Sequence, residues 1–411
     1  MSKKWTLVIC LALTVCLLGG CAYWPMAGLT NMLGQDKAVV SDDGATVTIS
    51  KADYERYKQF DTLLDLMDMS ETYFYQQVDP SLMLQGAAAG LLAGLNDPYT
   101  FYYTPEAYAE MWEDDEGEYA GVGIQISSSY LTGICTISRV FKGGPAEAAG
   151  VHRGDILYKV GDLYVDAYSV NDAVDIMRGT PGTDVDVTFL RDGEEITFTM
   201  TRAQVHVTRV DSTMLAEDIG YIYLYDFAGD CAVKFTEALE NLTAQGAKGI
   251  IIDLRDNPGG WVNDAETIGN LFLDKGVLYY LEYKDGTREY TYTKDGKTDV
   301  KLVVLMNENS ASSSEILAGA LQDRADATVV GVQSFGKGIV QIVVPVGEDG
   351  SGMQMTVAQY YTPNGNAVHK IGITPDETIA LAEDDNGMYQ FGDLSDPQLA
   401  RALEVMKQKL Q

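Results

Sequence analysis

The chain has 411 residues, more than one ordinary hydrophobic core holds, so two or three domains are expected. Apolar residues make up 46% of it, a share that excludes general disorder. The 60 acidic residues exceed the 29 lysines and arginines and give a formal net charge of −31. This charge repels phosphate backbones, which argues against a nucleic-acid partner, and it disfavours anionic lipid surfaces unless a covalent link holds the protein there.

The first residues have the pattern of an export signal. Two lysines precede an apolar run from Trp5 to Leu18, which is shorter than the ~20 residues of a membrane-spanning helix. The following Gly-Gly-Cys completes a motif that resembles the bacterial lipobox, in which the cysteine becomes the lipidated first residue. Residues 1–21 are therefore predicted to be a signal peptide with Cys21 as the lipidation site. A cleaved signal without lipid and an uncleaved anchor are the alternatives, and all three place the working domains outside the cytoplasm.

Residues 22–44 have little periodicity and are predicted to be a tether. Residues 45–118 are predicted to be a helical region, because apolar residues such as Leu63 and Leu66 recur at helical spacing. Thr104 and Pro105 are expected to cap and begin its last helix.

Cysteine usage is sparse outside the signal. Cys135 and Cys231 lie in different predicted domains and are expected to be buried thiols rather than a disulfide. No spacing of ligand residues indicates a metal site and no motif indicates a cofactor, so neither is predicted.

Residues 119–205 are predicted to form a peptide-binding module. A strand opened by glycines is followed by short alternating strands, Gly turns and two short helices, which is typical of a small β-rich barrel. The order of these elements resembles a PDZ domain, in which a turn holds a chain-terminal carboxylate and the strand edge beside it pairs with the peptide. By this resemblance the turn consists of Gly121, Val122, Gly123 and Ile124. A PDZ-like fold that serves only as a structural lid is the alternative, and the nearby His152 and Arg153 are expected to be surface residues.

Residues 206–376 are predicted to form the core domain. Buried-strand runs such as 249–254 and 301–306 alternate with amphipathic helices, which indicates an α/β layer structure. A Gly259-Gly260 turn joins the end of one strand to a helix and offers N–H groups of the kind that an oxyanion hole needs. The predicted fold is thus a multidomain α/β (α+β) protein: an α/β layered core, an inserted β-rich module and a helical N-terminal region.

The stretch from Asn309 to Gln341 contains the candidate chemistry. It opens with a serine cluster and closes with Lys337 between two glycines, and an apolar helical segment lies between them. The only histidines are His152, His206 and His369. No neighbouring motif marks His206 or His369 as the base of a Ser-His-Asp triad, so a lysine is the alternative base. Its ordinary pKa of ~10.4 must be lowered by burial before the neutral amine can take the serine proton.

Lys337 is flanked by Phe335 and Ile339, which are expected to enclose it in an apolar pocket. A lysine beside glycines is otherwise most often a turn residue, so this pattern alone is suggestive rather than specific.

Four ordered motifs resemble the carboxyl-terminal processing peptidases, also called tail-specific proteases, which join a PDZ domain to a Ser-Lys peptidase core. The motifs lie at 253–260, 310–315, 334–341 and 361–376. Matched by position, the resemblance makes Ser312 the nucleophile and Lys337 the general base, with Gln341 orienting the lysine. It assigns the oxyanion hole to the N–H groups of Ser313 and Gly259, with Gly260 as the alternative to Gly259. The chain departs from the family at Ser313, where alanine is usual.

The resemblance implies an endopeptidase that cleaves proteins whose apolar C-termini the PDZ domain recognises. A non-catalytic PDZ scaffold on a peptidase fold and a non-peptidase acyl-transfer enzyme are the alternatives. Residues 377–411 are predicted to be an extension that ends in a helix beginning at Asp396-Pro397. Such terminal helices can join two family members into a homodimer, and a helix packed on its own domain is the other interpretation.

Overall fold

The computed structural model describes residues 39–40, 47–129, 132–294, 298–381, 389 and 391–411. The predicted signal with Cys21 and most of the predicted tether lie outside the described residues. The chain divides into two compact units, a smaller one of Met1–Tyr108 with Gln341–Val357 and a larger one of Ala109–Val340 with Ala358–Gln411. Within the described ranges, no helix is both long and apolar enough to cross a membrane.

The described helices are α1 (Lys51–Tyr57), α2 (Asp61–Tyr73), α3 (Pro80–Ala93), α4 (Pro105–Glu116), α5 (Pro145–Ala149), α6 (Val170–Met177), α7 (Cys231–Ala244), α8 (Val262–Asn270), α9 (Ser313–Arg324) and α10 (Pro397–Lys409). The described strands are β1 (Val39–Val40), β2 (Val47–Thr48), β3 (Phe101–Tyr103), β4 (Glu118–Gly121), β5 (Ile124–Ser129), β6 (Ile134–Val140), β7 (Ile156–Val160), β8 (Leu163–Tyr164), β9 (Asp184–Arg191), β10 (Glu194–Thr201), β11 (Ala203–His206), β12 (Val210–Ala216), β13 (Ile219–Leu224), β14 (Gly249–Asp253), β15 (Gly276–Tyr283), β16 (Arg288–Thr293), β17 (Lys301–Met306), β18 (Thr328–Gly331), β19 (Ile339–Val346), β20 (Ser351–Tyr361) and β21 (Glu377–Thr378).

The smaller unit is helical, with β3 paired to the Gly352–Gln354 part of β20. Helices α1 and α3 begin at side-chain caps: the side chain of Ser50 accepts the N–H of Asp53 before α1, and that of Asp79 accepts the N–H of Ser81 before α3. The predicted cap of α4 is present as well, since Thr104 Oγ1 accepts the N–H of Ala107 at 3.3 Å. Helices α1 to α3 bury none of their residues, so the leucine pattern that predicts them lies on exposed faces.

Residues 119–205 form the predicted β-rich module of the larger unit. Its main sheet has the order β10-β9-β7-β6-β5, with β8 pairing to β7, while β4 and β11 form a separate pair. The core is built from alternating residues of these strands, and Ile137, Leu157, Val187 and Phe189 are at most 1% exposed. Because β5 ends the sheet order, one of its edges is open for pairing with another strand.

A second sheet organises the core domain in the order β12-β13-β14-β17-β18-β21, and it is parallel from β13 onward. All five residues of β14 are buried, as the apolar run predicts. One face of the sheet packs against α10, whose Leu399, Ala402 and Met406 share a cluster with Ile251 and Val303. The C-terminal helix therefore packs on its own domain.

The parallel arrangement brings three loops together. Strands β14, β17 and β18 are neighbours in the sheet, and the chain leaves each of them at the same edge. The Gly259-Gly260 turn follows β14, the serine cluster follows β17 and the Lys337 loop follows β18. Ligands and reacting groups of open α/β sheets characteristically sit at this carboxyl edge.

Candidate active site

Ser312 occupies a strained position at the start of α9. Its φ is +56° and its ψ is −118°, a backbone conformation that a residue with a side chain rarely adopts. In this conformation the backbone at Ser312 makes a sharp turn between the loop after β17 and α9. Such a turn is typical of a nucleophile elbow, which presents the hydroxyl at the edge of the sheet.

The other serines of the cluster hold the Gly259-Gly260 turn in place. Each is buried and donates its hydroxyl hydrogen to a backbone carbonyl of the segment that follows β14. The three bonds join Ser310 to Leu254 at 2.7 Å, Ser313 to Gly260 at 2.8 Å and Ser314 to Asn257 at 3.0 Å. Ser312 is half-buried, and its hydroxyl donates no such bond to any of the described residues, which distinguishes it within the cluster.

The turn before α8 requires glycine. Gly259 and Gly260 have φ of +97° and +140°, and a Cβ on Gly259 would lie 2.7 Å from Ser312 Cβ. The Gly259 N–H is donated to Asn257 Oδ1 at 2.8 Å. Among the described residues no acceptor takes the N–H of Gly260, nor that of Ser313 at the first position of α9. The N–H of Gly259 is thus taken by a side chain of its own turn, unlike those of Gly260 and Ser313.

Lys337 lies in the loop after β18, beside the serine loop. The N–H of Phe335 donates to the Ser310 carbonyl at 3.0 Å, and the Gly338 carbonyl accepts the N–H of Tyr360 at 3.0 Å. Lys337 is half-buried and Ile339 is buried, but the side chain of Phe335 is 56% exposed. The expectation that Phe335 helps to enclose the lysine is wrong, because its backbone bond to Ser310 is accompanied by an outward side chain.

Glu315, a residue that was not predicted to belong to the site, connects these two loops. Its carboxylate is fully buried and accepts the backbone N–H of both Ser312 and Lys337 at 2.9 Å. Burial raises the pKa of Glu315, and the hydrogen bonds that it accepts oppose this shift. The available signal was the spacing Ser312-x-x-Glu315, which is that of a helix capping box.

A groove lies between β5 and α6 in the β-rich module. It is a cavity of about 300 Å³ lined mainly by apolar side chains, with arginines among them. Val122, Ile124 and Ile126 line it from the strand side, and Val174 and Met177 line it from α6. This is the position that a PDZ groove takes, next to the predicted carboxylate turn.

Comparison with known proteins identifies the two parts of the larger unit. Family models match a PDZ domain at residues 136–191 and peptidase family S41 at residues 218–379. The chain is 36% identical over 326 residues to the carboxyl-terminal-processing protease of Synechocystis sp., which covers 77% of this chain and 75% of that protein. This chain belongs to the carboxyl-terminal processing peptidases of family S41.

Other relatives agree. Carboxy-terminal processing protease CtpA of Bacillus subtilis is 33% identical over 378 residues, covering 90% of this chain and 77% of that protein. The solved structure of a photosystem II D1 C-terminal processing protease is 30% identical with a TM-score of 0.57, and the match covers 80% of this chain and 89% of that one. The chain is therefore a serine-type endopeptidase with a PDZ domain and a mixed α/β fold.

Within the larger unit, the structure of the peptidase brings together several of the residues predicted for catalysis. Ser312, Ser313, Gly259 and the Lys337 loop meet at one edge of the core sheet. Gln341 belongs to the smaller unit, where its Nε2 donates to Thr356 Oγ1 at 3.2 Å. Its role in orienting the lysine stays a prediction from the family resemblance.

Two further predictions about side chains have outcomes in the peptidase. Cys135 and Cys231 are buried free thiols, as predicted. Arg153, which was expected to be a surface residue, is about one-third exposed, and its guanidinium pairs with Asp256 at 2.9 Å. That contact joins the PDZ domain to the first residue of the Asp256–Gly260 turn.

Proposed function

We propose that this peptidase cleaves extracytoplasmic proteins near C-termini held by its PDZ domain, with Ser312 as nucleophile and Lys337 as general base. The observation that carries the proposal is the strained Ser312 elbow, whose backbone shares one carboxylate oxygen with the backbone of Lys337. Gln341 is proposed to orient the lysine, as the family motif implies.

The reaction proceeds through an acyl-enzyme. The neutral amine of Lys337 takes the Ser312 hydroxyl proton as Oγ attacks the peptide carbonyl carbon. The N–H groups of Ser313 and of Gly260 or Gly259 hold the oxyanion, a contribution worth about 2.7–4 kcal/mol per donor in other enzymes. The protonated lysine then gives its proton to the leaving amine as the C–N bond breaks. Water, deprotonated by Lys337, attacks the ester, and Ser312 leaves with the proton to complete the cycle.

The PDZ groove is proposed to hold the substrate. Its apolar lining suits an apolar C-terminal side chain, and the open edge of β5 suits an extended peptide. The proposed carboxylate turn is the segment from Gly121 to Ile124. Protein and peptide substrates are thus the proposed partners, with no nucleic acid, in keeping with the net charge of −31.

The domain division proposed from the sequence is retained, with a signal at 1–21, a tether at 22–44 and a lipid anchor on Cys21. This assignment places the peptidase on the outer side of a bacterial membrane. Replacing Cys21→Ala is expected to move the protein from the membrane fraction to the soluble fraction and to abolish labelling by radioactive palmitate. Unchanged labelling would remove Cys21 as the anchor.

A homodimer is also proposed, through the smaller unit rather than through α10. The apolar face of α10 is buried on its own sheet, whereas Leu64, Leu66 and Leu84 of the smaller unit are more than half exposed. Light scattering on the full chain lacking its signal is expected to give twice the protomer mass. A monomer at micromolar concentration would contradict this assembly.

The catalytic assignment is tested with an unstructured protein as substrate. Ser312→Ala and Lys337→Ala are each expected to lower kcat by roughly 10³-fold or more. Ser313→Ala is the matched control for the serine cluster, because the proposed role of Ser313 lies in its backbone N–H and alanine is usual at this position in the family, and most of the activity is expected to remain. Cleavage that survives in Ser312→Ala would contradict the proposed nucleophile and would favour a PDZ scaffold or another catalytic residue.

A further inference from the structure

Glu315 is a glutamate without solvent exposure at the third position of α9. A capping-box glutamate ordinarily serves only the N-terminus of its own helix. Here the carboxylate also reaches the loop that follows β18, about twenty residues further along the chain. It therefore makes long-range contacts that helix capping alone does not require.

The two carboxylate oxygens divide their partners between the loops. Oε1 accepts the Ser334 hydroxyl at 2.5 Å and the Gly336 N–H at 2.7 Å. Oε2 accepts the N–H of Ser312 and the N–H of Lys337, each at 2.9 Å. A single oxygen atom thus joins the backbone of the proposed nucleophile to the backbone of the proposed base.

Tyr360, on β20, makes a second link between the Ser312 loop and the Lys337 loop, and we call the links made by Glu315 and Tyr360 the junction. Its hydroxyl lies 3.1 Å from the Ser312 carbonyl oxygen, to which it donates, and 3.5 Å from Oε2 of Glu315. Its backbone N–H donates to the carbonyl of Gly338, the residue after the lysine. The nucleophile and the base are therefore tied twice, once by a carboxylate and once by a tyrosine.

The junction requires an acceptor with no hydrogen of its own. Four donors converge on the carboxylate, and only the ionised form offers lone pairs to all of them. An amide would direct its NH₂ at one of the two donor pairs, and a carboxylate shortened by one methylene would not reach both loops. The strained backbone of Ser312 persists only where its surroundings fix it, and Oε2 fixes the N–H of that residue.

We infer that Glu315 is a positioning residue of the peptidase, whose carboxylate sets the placement of Ser312 relative to Lys337. The inference rests on the proposed Ser312 and Lys337 roles. Glu315 does not touch the substrate or take up a proton in the cycle. Its effect is to hold the two reacting side chains at a distance where proton transfer is fast, and misplacement of about 1 Å can lower a rate by 10²-fold.

The test is Glu315→Gln in the full chain lacking its signal, assayed with a peptide that ends in a free carboxylate. We expect kcat per folded molecule to fall about 10²-fold. KM and the affinity of the groove for a non-cleavable peptide are expected to stay within about twofold, because the groove belongs to a separate sheet. A merely structural role would lower kcat only in proportion to the folded fraction, which circular dichroism measures.

Glu266→Gln is the matched control. Glu266 is a poorly solvated glutamate on α8 whose carboxylate accepts the Tyr279 hydroxyl at 2.7 Å, and among the described residues it has no hydrogen bond to the Ser312 or Lys337 loop. Its kcat is expected to equal that of the wild type. If Glu315→Gln does not fold, Glu315→Asp is used for the same test, because aspartate keeps the charge but its shorter side chain moves the carboxylate away from the two loops. A folded Glu315 variant with wild-type kcat overturns the inference, whereas activity in Ser312→Ala would overturn the proposed function instead.

Discussion

The guanidinium of Arg153 in the PDZ domain lies 2.9 Å from the carboxylate of Asp256, which begins the Asp256–Gly260 turn. Both side chains are about one-third exposed, so the pair contributes less than about 1 kcal/mol to stability. Asp256 is held more strongly by Asn307 and Asn309, whose amides donate to it at 2.9 and 2.8 Å. Burial raises the pKa of Asp256, but these amides and Arg153 outweigh that effect and lower it.

Removing the arginine is therefore expected to matter little for the chemistry. In Arg153→Met, kcat should stay within about twofold of wild type, because both asparagines still hold the turn. Asp256→Ala removes the acceptor of all three donors and should lower both kcat and the unfolding free energy, the latter by about 1–3 kcal/mol. Steady-state kinetics and urea unfolding measure the two effects. A large loss of kcat in Arg153→Met alone would show that the ion pair, rather than the asparagines, fixes the turn.

Gly259→Ala is expected to abolish most activity. The new Cβ would approach Ser312 Cβ and the Ala311 carbonyl to 2.7 Å, and φ is +97°, so both the turn and the elbow must shift. We expect a fall in kcat of roughly 10²-fold or more. Gly246→Ala is the control, since Gly246 has φ of +103° but open space around it, and only about 1 kcal/mol of stability should be lost. Wild-type kcat in Gly259→Ala would place the oxyanion turn elsewhere.

The groove predicts a specific change in substrate affinity. Val174→Asp places a charged carboxylate in the apolar lining of the groove that is proposed to hold the substrate, and should raise KM about tenfold with kcat unchanged. Amidating the C-terminus of the peptide should have a similar effect on the wild-type enzyme. Asp175→Asn, on the exposed side of the same helix, is the control. Equal KM for free and amidated peptides would remove the groove from substrate recognition.

The PDZ domain should lose stability in acid through Asp155. Burial raises the pKa of this carboxyl, but two groups lower it overall. They are the Arg191 guanidinium, which donates through Nε at 2.6 Å and Nη2 at 2.7 Å, and the backbone N–H of His152. Because the folded pKa lies below the unfolded value of ~3.9, the stabilisation is complete above that value and is lost as pH falls through the folded pKa.

Asp155→Asn should therefore lower the free energy of unfolding by about 1–3 kcal/mol at pH 7. The gap between this variant and the wild type should close below pH ~4. Chemical unfolding of the full chain from pH 7 to pH 3 measures it, with the exposed Asp162→Asn as control. A gap that is constant across this range would exclude ionisation of Asp155 as the source.

Much of the core could be predicted from sequence because its signals are local. Apolar runs predicted β14 and β17, and the family resemblance assigned the Gly259 turn and the serine cluster to one oxyanion hole. The family motif then selected Ser312 from a cluster in which several serines look alike. The strained φ of Ser312 supports that choice, but sequence does not reveal backbone strain.

Long-range contacts were not predictable in the same way. Glu315 reaches Lys337, and Arg153 reaches Asp256 across about a hundred residues, and neither pairing leaves a spacing in the sequence. Phe335 was misjudged because the direction of a loop side chain depends on which neighbour its backbone binds. The apolar faces of α2 and α3 follow the expected helical period, but period alone does not say whether a face is covered.

The serine cluster has a consequence for anyone who redesigns this stretch. Ser310, Ser313 and Ser314 each bind a different carbonyl. The segment is therefore rich in one residue type, but each of these serines makes a hydrogen bond that the others do not make. A rearranged version that keeps every residue type, and even keeps a serine at 312, would leave buried carbonyls without donors. The position of each serine in this segment therefore matters to the structure, and the number of serines alone does not determine it.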